Sequence, residues 1–184
     1  MLITISGTPG SGKTTVARLL SRRLGLPHIY AGDLYRHEAA ARGVSLEDFN
    51  RLSERDHSID RQLDAQMAEH ARRGNVILEG RLAAFVTREQ GVDALKVFLA
   101  ASDEVRAQRV AQREGKDWRH VLEQNRTRQR SDAQRYRDIY GFDLNDVSIY
   151  DLVLHSDAQT PDALADQIEA AARQRFGQQV SARP

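Results

Sequence analysis

Leu2-Ile3-Thr4-Ile5-Ser6-Gly7-Thr8-Pro9-Gly10-Ser11-Gly12-Lys13-Thr14-Thr15-Val16 decides the fold. The β-branched run from Leu2 to Ser6 reads as a buried strand that stops at a glycine. After the glycine-rich turn, Val16, Leu19, Leu20 and Leu24 mark one face of a helix that ends near Gly25. Between strand and helix, Gly7 to Thr14 fits G-x-x-x-x-G-K-[ST] without a mismatch. Glycines let such a loop curl so that successive backbone N–H groups of Gly7, Thr8, Pro9's neighbours, Gly10, Ser11 and Gly12 turn toward phosphate oxygens. Lys13 reaches the outer phosphates as a point charge, the Thr14 hydroxyl suits Mg²⁺, and the helix that opens with Thr14 and Thr15 offers its positive dipole end. Chance would produce the pattern in roughly one chain of this length in a hundred, and here it also sits where the mechanism needs it.

Outward from this loop, short apolar runs alternate with helical patterns. Pro27 to Ala31, Asn75 to Glu79, Leu95 to Ala100 and Asp151 to His155 read as further strands. The polar stretch from Gly32 to Arg73 is helical, with Leu34, Phe49, Leu52, Ile59, Leu63 and Met67 as its apolar positions. Ser102 and Thr160-Pro161 read as helix starts. A break at Gly115-Lys116-Asp117 precedes a long helix to about Arg137, and the tail after Gly177 is expected to fray. The alternation predicts an α/β fold: a five-stranded parallel sheet with helices on both faces, in one domain over residues 1–184.

The 184 residues carry a net charge of +1, are 40% hydrophobic and 29% charged, and include no cysteine. Disulfide staples, thiolate metal sites and cysteine nucleophiles are excluded. No apolar run suits a bilayer crossing, and the start of the chain lacks a basic signal-peptide region, so a cytoplasmic protein is expected. The near-zero charge disfavours nucleic acid as a partner; residues 101–140 hold ten Lys/Arg and seven Asp/Glu, a modest footprint. The six histidines show no metal-ligand spacing and read as ordinary polar residues.

No N-K-x-D guanine-reading motif and no motor-type acidic strand end is present. The acid after a hydrophobic strand is Glu79, which can hold a water on Mg²⁺ or simply end the strand in solvent. Arg81 follows it, beyond a C-terminal strand end where open sheets bind ligands, and is placed to accept a second phosphate. Arg128, Asp132 and Arg135, at i, i+4 and i+7, share one helix face and could clamp a migrating phosphoryl group. Arg109 and Arg113 precede the glycine break and suit a lid over a triphosphate; part of the arginine-rich helix must also be a solvated, ion-paired surface. Arg36 is a second candidate for the acceptor phosphate, and Asp33 is either a helix cap or a ligand contact.

These residues resemble the cytidylate kinases, in the short form found in archaea. The matching pieces are ITISGTPGSGKTTVARLL, AGDLYR, GVSLEDFN, GNVILEGRLAAF and RSDAQRYRDIYGFDLNDVSIYDLVLHS, running from residue 1 to about 157. The resemblance implies transfer of the γ-phosphoryl group of ATP to CMP or dCMP with Mg²⁺, an NMP-binding segment over 32–73 and a lid over 113–127; a monomer is expected. It implies that Arg36 and Arg81 bind the acceptor phosphate and that Arg128, Asp132 and Arg135 serve acceptor ribose and phosphates. It further implies that Arg109 packs on adenine and Arg113 meets phosphate. The longer bacterial enzymes carry an inserted segment that helps read cytosine, and tend to have Asp after the Gly-Arg pair where this chain has Leu82. Base selection must use other residues here. The alternatives are a kinase of the same fold for UMP, AMP or a small metabolite, or a nucleotide-dependent RNA-binding protein.

Overall fold

Alternation along β1 (Leu2–Gly7) divides the core into two layers. The computed structural model describes residues 1–177, and the expected fraying beyond Gly177 lies outside them. Ile3 and Ile5 face one side, where they meet α1 (Lys13–Leu24) through Val16 and Leu20. Leu2 faces the other, toward Leu78 of β3 (Val76–Glu79) and Met67 and Ala71 of α4 (Ser58–Arg73). β4 (Leu95–Ala100) repeats the pattern, with Leu95, Val97 and Leu99 all in the first layer. That layer also takes Leu164 and Ile168 of α8 (Pro161–Phe176). Each fully buried Leu or Ile of this kind contributes ~1.5–3 kcal/mol.

The remaining elements are β2 (His28–Tyr30), α2 (Ala31–Ala41), α3 (Leu46–Arg55), α5 (Ala83–Glu89), α6 (Asp103–Glu114), α7 (Trp118–Tyr140) and β5 (Leu152–His155). The five strands are parallel, in the order β2-β3-β1-β4-β5. β1 therefore lies between β3 and β4, with Ile5 opposite Glu79 on one side and Gly7 opposite Leu99 on the other. The connection out of β1 runs to the β2 side, whereas the one out of β3 crosses to β4 on the other side, and this switch opens the crevice at the C-terminal end of β1. Among the described residues no helix is long and apolar enough to cross a membrane.

Side-chain caps account for four of the eight helix starts among the described residues. Ser102 accepts a hydrogen bond from the Val105 amide, Asp117 from the amides of Arg119 and His120, and Thr160 from Ala163 ahead of Pro161. Several expectations change. β2 is shorter than expected because Ala31 already begins α2, so Asp33 lies in the first turn and is not the cap. The stretch over 32–73 divides into three helices, and Leu52 points outward on α3. α5 was not anticipated: its continuous apolar run, Ala83 to Val86, is buried on every side and shows no periodicity. The region over 113–127 comprises the end of α6, a turn capped by Gly115 and Asp117, and the start of α7. Ala107, Val110 and Ala111 of α6 pack there on Val121.

Candidate active site

The loop from Gly7 to Gly12 is shaped by contacts that exclude side chains. A Cβ on Gly7 would fall 2.3 Å from the Leu99 carbonyl oxygen, and one on Gly10 would fall 2.6 Å from that of Arg106. Both glycines have positive φ, 141° and 82°. Gly12 opens α1 in the left-handed conformation with no side chain capping it. The first-turn amides of α1 are thus available to an anion.

Lys13 donates to the Thr8 carbonyl oxygen at 2.6 Å, spanning the loop it belongs to. Burial of its ammonium pushes its pKa down to about 7, against the pull of the Glu79 carboxylate; Arg81, Arg128 and Arg106 push it the same way as burial. Thr14 donates its hydroxyl proton to Glu79 Oε1 at 2.6 Å, and His28 Nε2 lies 2.9 Å from Glu79 Oε2. Glu79 is fully buried, so it is not a solvated strand end. A half-buried hydroxyl beside a buried carboxylate at a phosphate loop is the hard oxygen donor set that Mg²⁺ accepts, with water and phosphate completing the shell.

The arginines gather on Asp132, which is 6% exposed. Arg81 forms an ion pair with Asp132 Oδ2, and Arg135 Nη2 donates to Oδ1 at 3.0 Å. Arg128 Nε stands 3.9 Å from Oδ2. One carboxylate thus holds guanidiniums from the β3 end and from two turns of α7 in one group, and two of these arginines are near enough to Lys13 to depress its pKa. Burial and the neighbouring arginines push the Arg81 guanidinium down to about 9, so it stays charged at neutral pH. Arg135 also meets Asp60 of α4, Nε to Oδ2 at 3.1 Å.

α7 runs between two cavities. The larger, about 680 Å³, opens on Gly7, Thr8, Arg81 and Arg106 and meets the α7 face that carries Arg126, Gln129, Arg130 and Ala133. The smaller, about 450 Å³, lies between α3 and the opposite face, with Arg128, Ser131, Asp132 and Arg135. Four arginines of this helix divide between the two, Arg126 and Arg130 on one and Arg128 and Arg135 on the other.

Four candidates stand apart from this group. Arg36 pairs with Asp33 and lies over the Tyr30 ring, 5.1 Å from its centroid, outside both cavities. Arg109 donates to the Ser156 hydroxyl at 2.9 Å and to its carbonyl at 2.6 Å, and Ser156 donates to the Ser11 carbonyl. It therefore braces the loop from below. Arg113 is 70% exposed in its side chain and pairs only with its neighbour Glu114, because α6 has run past the core by that turn. Three residues that sequence reasoning missed belong here. Arg106, buried, donates to the Pro9 carbonyl at 3.3 Å and pairs with Asp103; its glycine-tight contact with Gly10 leaves no local signal. His28 is identified only through Glu79. Asp60 could have been noticed as an acid on an apolar helix face.

A family model described as the cytidylate kinase-like family matches residues 2–158. A cytidylate kinase of Methanopyrus kandleri is 44% identical over 178 residues, covering 93% of this chain and 92% of its own length. One from Methanothermobacter thermautotrophicus is 46% identical over 157 residues, covering 85% and 95%. Among solved structures, an uncharacterized protein from Eubacterium ventriosum superposes with a TM-score of 0.72 at 18% identity, over 93% of this chain and 97% of its own. A shikimate kinase from Acinetobacter baumannii superposes with a TM-score of 0.60 at 16% identity, over 97% and 94%. At such identities the structural likeness shows the shared α/β fold.

Proposed function

This chain belongs to the cytidylate kinase-like family, and from that membership we propose its reaction: transfer of the γ-phosphoryl group of ATP to CMP or dCMP, giving ADP and the nucleoside diphosphate. The observation that carries the reading is the gathering of Arg81, Arg128 and Arg135 on Asp132, with Arg81 and Arg128 within electrostatic reach of Lys13. A single transferred phosphate has no use for that many guanidiniums; a donor phosphate chain facing an acceptor phosphate does.

The bond from the γ-phosphorus to its bridging oxygen breaks as an oxygen of the acceptor phosphate forms the new one. The work of the protein is positioning and charge neutralisation. Amides from Gly7 to Thr15 hold the triphosphate, and Lys13 leaves the Thr8 carbonyl to reach its outer oxygens. Arg81 grips the acceptor phosphate, while Asp132 orients Arg81 and Arg135 and Arg128 completes the shell. Thr14, and Glu79 through a water, would hold Mg²⁺, which would supply positive charge to the phosphate groups. Arg109 braces the adenine side, and closure of the segments over 32–73 and 113–127 brings Arg36, held by Asp33, and Arg113 onto phosphate oxygens and excludes water. The reading takes the protein to act as a monomer in the cytoplasm.

A coupled assay of ADP release with CMP, dCMP, UMP, AMP and shikimate tests the reading. Highest kcat/KM on CMP or dCMP is expected. A preference for shikimate, or no turnover with any nucleoside monophosphate, would overturn it.

A further inference from the structure

The inward face of α4 is apolar at Ile59, Leu63 and Met67, yet the residue that shares it is Asp60, 5% exposed. A carboxylate in that setting is costly unless donors satisfy it. The other acids nearby are satisfied: Asp132 holds its arginines, Asp64 accepts from the Tyr140 hydroxyl and Glu79 accepts from Thr14. Asp60 has only Arg135, and the 3.1 Å approach is angled so that neither Asp60 Oδ2 nor Arg135 Nε completes a hydrogen bond. A buried acceptor and a buried donor thus stand side by side, both unfulfilled. Arg135 is itself 9% exposed and lines the cavity beside α3. Through its other nitrogen it reaches Asp132, so Asp60 lies one guanidinium away from the phosphate-handling arginines.

An acceptor beside a donor is the complement of one pyrimidine edge. Cytosine presents a 4-amino donor, which carboxylates accept from, next to ring acceptors; thymine and uracil present a carbonyl at that position. Leu82 cannot make this distinction, being buried with Phe85 and Val86 in the core. We propose that Asp60, set against Arg135, is the residue that selects cytosine, its carboxylate accepting a hydrogen bond from the 4-amino group while Arg135 donates to the ring acceptors. The assignment rests on the kinase reading above and adds the residue that reads the base. Uracil would set its O4 against the carboxylate and leave both buried groups unpaired, the arrangement by which sites reject near-isosteres most strongly.

The test compares kcat/KM for CMP, UMP and the ribonucleoside monophosphate of pyrimidin-2-one, which lacks the 4-amino group, in the wild type and in Asp60→Asn. In the wild type, loss of the amino group should cost about tenfold or more. In Asp60→Asn the CMP-to-UMP ratio should fall by about the same factor, because an amide can turn either its oxygen or its NH₂ to the base. Wild-type turnover that is indifferent to the amino group would overturn the proposal, and needs no variant to fold. So would an Asp60→Asn enzyme that loses CMP and UMP activity equally, since that is the behaviour of a residue that merely props Arg135. A wild type inactive on every nucleoside monophosphate would overturn the kinase reading itself, an outcome distinct from either.

Discussion

Binding of the nucleoside triphosphate should draw a proton from solution at pH 8, and Lys13 should be its destination. In the free protein the Lys13 pKa is lowered to about 7, chiefly by burial, while its one hydrogen-bond acceptor is the neutral Thr8 carbonyl. At pH 8 only about a tenth of the molecules then carry the ammonium. A triphosphate brings several negative charges to the amine and returns its pKa toward the ordinary lysine range. Binding should therefore take up about 0.9 proton at pH 8 and about 0.1 at pH 6. Calorimetric titration with a non-hydrolysable ATP analogue, in two buffers of different ionisation enthalpy, reads that number as the slope of heat against buffer enthalpy. Lys13→Arg keeps a cation whose guanidinium does not titrate in this range, and should reduce the uptake to near zero. The same shift makes the free protein's stability depend on pH. The unfolded chain binds more protons than the native one between pH 7 and 10.5, so stability rises through that window and the full penalty is present below it. Uptake below about 0.2 proton at pH 8, or uptake unaltered in Lys13→Arg, would refute the reasoning.

Arg128→Ala should lower kcat by about 10³-fold with an unchanged melting temperature, because its side chain is 60% exposed and stands 3.9 Å from Asp132; near-wild-type turnover would remove it from the mechanism. Lys13→Ala should be similarly inactive and folded, checked by turnover together with far-ultraviolet circular dichroism. Asp132→Ala leaves Arg81 buried without its counter-charge and Arg135 with Asp60 alone, and should destabilise the fold by about 3–5 kcal/mol, read from urea denaturation. Gly10→Ala adds a Cβ 2.6 Å from the Arg106 carbonyl at a φ of 82°; the loop must shift, and triphosphate affinity measured by calorimetry should fall at least tenfold.

What the sequence disclosed was whatever its signals could state locally. The strand–loop–helix unit declares itself because periodicity, glycine punctuation and motif all occur within residues 2–24. Arg81 could be placed because one general rule, that ligands bind beyond the C-terminal ends of parallel strands, acts on a strand end visible in the sequence. His28 had no such rule: its partner Glu79 is 51 positions away, and only the pairing of β2 with β3 brings them together. Arg109 and Arg113 show a different limit. Their four-residue spacing is genuine, yet one reaches Ser156 beneath the phosphate loop and the other lies in solvent. Spacing fixes the face of a helix and says nothing about where along its length the core ends.

Asp60 indicates how such gaps can be narrowed. Its neighbours Ile59, Leu63 and Met67 define an inward face by period alone, and position 60 falls on that face at three and seven residues from the latter two. A chain under selection only for packing would place an aliphatic residue there, since a buried carboxylate is destabilising without donors. An acid on a buried face is therefore a sequence-level sign of a partner elsewhere. Here the partner within the protein, Arg135, stops short of a hydrogen bond. The break in the apolar pattern points at Asp60, and the unmet valence of the structure points at the same carboxylate. Agreement of that kind is what separates a functional exception to the burial rule from an imperfection of packing.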